Sequence, residues 1–165
     1  MPHQKQQQGF SLIELLIVIA IIGILSAVAV IGYKAVIVGT KESLVQDRLR
    51  LVGEAQMQFR VTLGRSRYAA LSELRTTFTA AGTPLVNQET APADSSGQPL
   101  PLQGWLIREP ANAPAGDALK SAFAVEAVPA VGNSSQNTFC LYEDGTLHTS
   151  TLGTPCTRSS PSASR

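Results

Sequence analysis

An uncharged stretch near the N-terminus constrains this chain more than any other feature. From Leu15 to Tyr33, 19 consecutive residues carry no charge. A helix rises about 1.5 Å per residue, so this stretch would cross roughly the 30 Å hydrocarbon layer of a bilayer. One acid, Glu14, stands at its head, five residues after Gly9. A carboxylate in apolar surroundings costs about 2.5–3.5 kcal/mol near a helix centre and less toward an end, so this position indicates a functional residue.

The residues before this stretch do not fit a secretory signal peptide. Such a peptide has a basic start, about 7–15 apolar residues and a small-residue cleavage site after them. Here the leader Met1 to Gln8 is short and polar, and the small residue Gly9 precedes the apolar run instead of following it. The apolar run is also longer than that of a signal peptide. Cleavage at Gly9 would therefore leave the apolar segment at the N-terminus of the mature protein.

The segment GFSLIE at residues 9–14, followed by LLIVIAIIGILSAVAVIGY, resembles the N-terminus of type IV pilins and pseudopilins. The resemblance implies that a prepilin peptidase/N-methyltransferase cleaves between Gly9 and Phe10 and methylates Phe10. It implies that Glu14 guides assembly. Many major pilins have a helix-weakening Pro where this chain has Ile31, so the resemblance does not extend to local melting of the helix there.

The same resemblance implies where the protein resides and what it contacts. The precursor would lie in the bacterial inner membrane as a single span, with its N-terminus in the cytoplasm and its head exported. The pilus assembly machinery would then polymerise it into a homo-oligomeric helical filament outside the cell.

From Lys34 onward the pattern changes from wholly apolar to amphipathic. Arg50 and Glu54 are spaced for an i, i+4 ion pair on the polar side. The pattern predicts one helix from about residue 11 to 63, ended by Gly64, with a break at Gly39-Thr40 as the alternative. Apolar residues recur at helical spacing at Val38, Val45, Leu49, Val52, Ala55, Phe59 and Leu63.

After this helix the sequence predicts a small head with mixed structure. Tyr68, Leu71 and Leu74 share one face, which predicts a short helix over residues 65–74. Six prolines between residues 79 and 116 exclude a long helix there. Trp105, the single tryptophan, is the expected anchor of the head core.

Four runs in the second half of the chain have the composition of strands. Asp144-Gly145 between the last two is a strong signal for a two-residue hairpin. The predicted fold class is α+β: a long N-terminal helix whose amphipathic half packs on an antiparallel sheet of three or four strands. The complete pilin-like arrangement rests on the resemblance. The four runs are Gly104–Glu109, Ser121–Val128, Thr138–Glu143 and Thr146–Thr151.

These patterns divide the chain into five predicted segments. They are a cleaved leader (1–9), the transmembrane or filament-core half of the helix (10–33), its amphipathic half (34–64), a loop-rich head (65–158) and a flexible polar tail (159–165).

The chain has two cysteines, Cys140 and Cys156, with 15 residues between them. An even number on the exported side of a membrane segment favours a disulfide bond. Closing a loop of this size would contribute about 3 kcal/mol in the chain-entropy description. His148 is the only histidine nearby, so these residues do not predict a metal site.

Charge argues against general binding of polyanions, because removing Lys5 with the leader leaves 12 basic and 12 acidic residues. The charges are unevenly distributed, however. Residues 34–75 contain eight basic and four acidic residues, and residues 76–165 contain four basic and seven acidic. The two regions could attract each other between neighbouring copies, or they could be ordinary solvated surface. Arg60, Arg65 and Arg67, near Phe59 and Tyr68, form a candidate contact for single-stranded nucleic acid, with a solvated turn as the alternative.

The sequence contains no recognisable catalytic grouping, phosphate-binding loop or metal-ligand cluster, so it predicts neither an enzyme nor a cofactor. The favoured function is a structural subunit of a type IV pilus. Alternatives are a pseudopilin of a type II secretion system, a minor pilin of a DNA-uptake filament, and a single-span anchored, exported binding domain. Major pseudopilins often carry an acidic calcium loop near the C-terminus and lack a cysteine pair there. This chain has Cys140 and Cys156 in that region and only one acidic pair, Glu143-Asp144, so a pilin is preferred.

Overall fold

The computed structural model describes residues 10–63, 66–133, 135 and 137–163, with the side chains of residues 30–32 excepted. Its internal contacts divide the chain into two compact units, one ending at Gly39 and the other beginning at Thr40.

The first helix, α1, spans Leu12–Gln58 and is followed by a π-helical turn at Phe59–Leu63. The predicted long helix is therefore confirmed. It shows no break at Gly39-Thr40, and its backbone is also helical at position 31, where Ile rather than Pro keeps a backbone donor. The predicted stop at Gly64 lies outside the described residues.

Among its described residues, the second unit adds a short helix, a sheet and a 3-10 turn. The short helix, α2, spans Leu71–Thr76, and the 3-10 turn spans Gly116–Lys120. The strands form one antiparallel sheet in the order β1-β2-β3-β4-β5, so each pairs with its neighbours in sequence. They are β1 (Pro101–Leu102), β2 (Trp105–Arg108), β3 (Ala124–Pro129), β4 (Asn137–Tyr142) and β5 (Leu147–Thr151).

This arrangement confirms the α+β class and adds a strand to the three or four that were predicted. The added strand, β1, has only two residues and begins with a proline, which is too short for an alternating pattern to show. It forms because Pro101 pairs with Leu106 and Leu102 with Trp105 across a tight turn. The turn between β4 and β5 is longer than predicted, since it includes residues 143–146 rather than Asp144-Gly145 alone.

The core of the second unit lies between the buried stripe of α1 and one face of the sheet. Five of the seven residues in the predicted stripe are buried, whereas Leu63 is 45% exposed and Val38 is half-buried. Trp105 is fully buried, as predicted, and its indole nitrogen donates to the Asn137 carbonyl. The sheet contributes Trp105, Ile107, Val125, Ala127, Phe139 and Leu141 to this core.

A buried glutamine fixes the chain between α1 and α2. Gln56 is 1% exposed, its amide nitrogen lies 2.7 Å from the Ala69 carbonyl, and its side-chain oxygen accepts from the Ala69 N–H at 2.9 Å. The first helical N–H of α2, at Leu71, donates to the Glu109 carboxylate at 2.6 Å. These bonds place the start of α2 at Leu71, later than in the predicted helix over residues 65–74, and the preceding residue, Ala70, is extended.

The C-terminal segment departs from the expected flexible tail. The Thr149 N–H donates to the Pro161 carbonyl and the Ala163 N–H to the Leu147 carbonyl, both at 2.8 Å. His148 and Ser162 form an antiparallel bridge between these bonds. Residues 160–163 therefore cover the outer edge of β5, which satisfies backbone groups that an open edge strand would expose.

Candidate processing and assembly site

Glu14 lies in the first turn of α1, three residues after Ser11, which precedes the helix. Its Oε2 accepts a hydrogen bond from the Ser11 N–H at 3.3 Å, and the Ser11 carbonyl accepts from the N–H groups of Glu14 and Leu15. A carboxylate here satisfies an otherwise free donor and interacts favourably with the positive end of the helix dipole. Glu14 therefore caps its own helix, a contact that the Ser-x-x-Glu spacing signals but that the sequence prediction missed.

The bond predicted to be cut joins Gly9, which lies outside the described residues, to Phe10. Phe10 is 79% exposed and comes just before the start of α1. Accessible, non-helical backbone is what a peptidase requires of its substrate. The position of Phe10 thus suits the predicted cleavage.

The apolar side chains of the first unit are uncovered. From Leu12 to Val28 the large hydrophobic residues are between 48% and 83% exposed. By length and composition, one helix in the described part of the chain, Leu12–Leu63, could cross a membrane, and its most apolar window has a mean hydropathy of 3.0. So much exposed apolar surface requires lipid or other apolar helices around it. This segment fits membrane anchoring before assembly.

The predicted disulfide between Cys140 and Cys156 is confirmed. Cys140 is a buried residue of β4, and the bridge joins it to the chain that follows β5. The Tyr142 hydroxyl donates to the Cys156 carbonyl at 2.8 Å, and burial raises the pKa of this tyrosine. The Arg158 guanidinium lies 5.3 Å from the centre of the same ring. These contacts tie the C-terminal segment to the sheet.

The basic and aromatic residues considered for nucleic acid contact each other instead. Arg60 Nη1 donates to the Tyr68 hydroxyl at 2.8 Å, and its guanidinium lies over the Tyr68 ring. Arg67 forms a bidentate ion pair with Glu73, and its guanidinium lies 5.2 Å from the centre of the Phe59 ring. The Arg67 hydrogen bond lowers the pKa of Glu73 below its ordinary value. These two arginines therefore already have partners, which favours the interpretation of this region as a structural turn; Arg65 lies outside the described residues.

A second acid of α1, Glu42, has a structural role that no local sequence pattern indicates. Glu42 Oε1 accepts from the Ser135 hydroxyl at 2.5 Å and from the Asn137 side-chain amide at 3.1 Å. Because these partners are more than 90 residues away in sequence, only the fold brings them together.

In the part of the chain that the structure describes, no group of three or more His, Cys, Asp or Glu side chains is placed to hold a metal ion.

A comparison with protein families gives a match at the N-terminal end of the chain, which includes Phe10 and Glu14. The prokaryotic N-terminal methylation motif matches residues 4–30. This is the signature of a type IV prepilin leader. The methylation motif supports a precursor of the pilin and pseudopilin kind, which is a structural class; the leader is a substrate signal for a processing enzyme. No curated protein and no solved structure matches the chain.

Proposed function

We propose that this protein is a structural subunit of a type IV pilus. It is held in the inner membrane as a prepilin, cleaved between Gly9 and Phe10, N-methylated on Phe10 and polymerised through its N-terminal helix. The observation that carries the proposal is the methylation motif at residues 4–30, placed at the start of a helix whose apolar surface is uncovered.

The two units of the chain support complementary parts of this function. The apolar helix of the first unit suits a bilayer before assembly and a bundle of identical helices afterwards, since both surround it with hydrocarbon. The second unit is a small α+β head whose C-terminal segment is held by a disulfide and by backbone bonds to β5. Such a head tolerates export and exposure outside the cell.

A pilus subunit is preferred to a secretion-system pseudopilin because of this disulfide, which the resemblance associates with pilins. A non-polymerising anchored domain would not require the cleavage signal or Glu14. The prepilin peptidase and the pilus assembly machinery are the partners that this function implies.

Fractionation of cells that produce the full chain tests the proposal. Sheared extracellular material should contain the protein as filaments, and intact mass should show a chain that begins at N-methylated Phe10. Gly9→Leu should retain the leader and abolish filaments, because a bulky side chain blocks the cleavage site. Gln8→Leu, a similar increase in apolar bulk one residue earlier, is the control and should be processed normally.

Two results would contradict the proposal. One is a mature protein whose mass begins at Met1. The other is correctly processed protein that stays entirely in the membrane fraction when it is the only subunit supplied, together with its assembly machinery.

A further inference from the structure

A surface feature of the second unit with no assigned role is a groove between α1 and the turn that joins β4 to β5. Its volume is about 510 Å³. Met57, Phe123 and Leu141 form its apolar lining, and Met57 is 50% exposed. The groove therefore offers apolar surface that the second unit does not itself cover.

The rim of this groove is acidic. Glu54, Glu143 and Asp144 lie there with one basic residue, Arg50. Arg50 is already engaged, because its Nη1 lies 2.7 Å from Asp47 Oδ1. Within the described residues, Glu54 has no ion pair, so its carboxylate is free to receive a cation.

One rim oxygen lacks the donor that a buried carboxylate requires. Glu143 Oε1 pairs with Arg158 Nη2 at 2.6 Å, whereas Glu143 Oε2 is buried and has no hydrogen-bond partner among the described residues. Leaving a buried acceptor unpaired is unfavourable, and a charged donor satisfies it best. The groove thus combines an apolar lining with the unpaired carboxylate of Glu54 at its edge, next to a buried acceptor on Glu143.

A lysine side chain has the matching chemistry, because its four methylene groups cover apolar surface while its ammonium group reaches polar atoms at the edge. Lys41 lies in the same unit, is partly exposed and forms no ion pair with the described residues. Lys120, by contrast, already lies 2.8 Å from Asp117. The region around Lys41 is also basic, with eight basic and four acidic residues between positions 34 and 75.

We propose that the groove bordered by Glu54 and Glu143 binds Lys41 of a second copy of this chain. The inference rests on the proposed filament, which sets copies side by side at fixed axial offsets. Lys41 and Glu54 are 13 residues apart on α1. With parallel helices the contact therefore requires a stagger of about 20 Å between the two copies.

Charge reversal tests the contact in filaments of the full chain. Glu54→Lys and Lys41→Glu should each lower the yield of sheared filaments roughly tenfold, because each places like charges across the interface. The double variant, which restores opposite charges in exchanged positions, should recover most of the wild-type yield. The mass and amount of the processed membrane pool show whether each variant accumulates, is inserted and is cleaved.

Two matched controls keep the test specific. Glu89→Lys makes the same charge change at an exposed acid outside the groove, and Lys34→Glu makes it at an exposed lysine on the same helix. Both should give normal yields. As a second measurement, a short bismaleimide should link subunits of the Lys41→Cys/Glu54→Cys variant into ladders on denaturing gels, while neither single cysteine should give a ladder longer than a dimer.

The results separate this inference from the function on which it rests. Wild-type protein that forms no filaments overturns both. Wild-type filaments together with normal yield from Glu54→Lys overturn the groove contact alone. Two other results would overturn the assignment to Lys41 and show that another partner occupies the groove. One is a lower filament yield from Glu54→Lys together with a normal yield from Lys41→Glu. The other is a lower yield from both single variants that the double variant does not recover.

Discussion

Neutralising Glu14 in two ways separates its local contact from its proposed role in assembly. Glu14→Gln keeps an oxygen that can accept from the Ser11 N–H, as glutamine does in other capping boxes, but removes the charge. Glu14→Ala removes both the acceptor and the charge. The two variants therefore differ only in the cap, and they share the loss of charge.

The size of each effect follows from the site. The capping bond is 3.3 Å long and exposed, so its loss costs about 0.5–1.5 kcal/mol, and loss of the dipole interaction adds about 0.3–1 kcal/mol. These amounts fray one turn of a 47-residue helix and leave the rest intact. In a filament core the carboxylate would pair with the amine that cleavage creates on Phe10, either its own or a neighbour's. Losing one member of a desolvated pair costs about 3–5 kcal/mol, which is enough to prevent assembly.

We therefore expect both variants to be inserted and processed normally and both to lose most of their filaments. The assay compares sheared-filament yield with the amount and mass of processed subunit in the membrane. Glu89→Gln, which neutralises an exposed acid in the second unit, is the control and should assemble normally. Normal filaments from Glu14→Gln with few from Glu14→Ala would show that the cap matters and the charge does not. Normal filaments from Glu14→Ala as the only subunit would rule out an essential role for this carboxylate.

Three further predictions concern stability and are measured on the full chain in detergent by thermal unfolding. Gln56→Leu should lower stability by about 2–4 kcal/mol, since it strands a buried N–H and a buried carbonyl; an unchanged Tm would contradict this. Gly39→Ala should stabilise α1 by about 0.5–1 kcal/mol, because alanine favours the helix and its Cβ meets no neighbouring atom among the described residues. Gly53→Ala should stabilise the helix less, because its new Cβ would lie 2.8 Å from the buried Leu141 side chain. Equal stabilisation by the two variants would refute this close contact. Glu73→Gln should destabilise the protein at neutral pH, because the charged Glu73 carboxylate is stabilised by Arg67 in the folded state. The folded-state pKa of Glu73 lies below its ordinary value of 4.5, so this stabilisation is complete above pH 4.5 and is lost as the pH falls through the folded-state pKa. The difference in stability from wild type should therefore shrink below pH 4.5, and a difference that does not change with pH would contradict this.

The N-terminal half of the protein could be predicted largely from its sequence. An uncharged stretch, the cleavage motif and a 3.6-residue apolar period are local properties, and each constrains a helix without knowledge of distant residues. Strands β2 to β5 were likewise found within a few residues of their observed bounds, because alternation and turn residues are also local. The disulfide followed from there being only two cysteines.

The pairing of polar side chains could not be predicted in the same way, even between residues close in sequence. The sequence spacing suggested an ion pair between Arg50 and Glu54, but Arg50 bonds Asp47, and Glu54 instead borders the groove. Whether a surface arginine turns toward i−3 or i+4 depends on side-chain conformations that spacing alone does not determine.

The same limit explains the other features that only the tertiary structure decided. Glu42 reaches Ser135, Gln56 binds the backbone at Ala69, and residues 160–163 pair with β5 instead of remaining free. Each contact satisfies polar groups with partners that lie 12 to 93 residues away in the sequence. Periodicity indicates which side of an element is apolar, but the pairing of polar groups depends on which surfaces the folded chain brings within about 3 Å of each other.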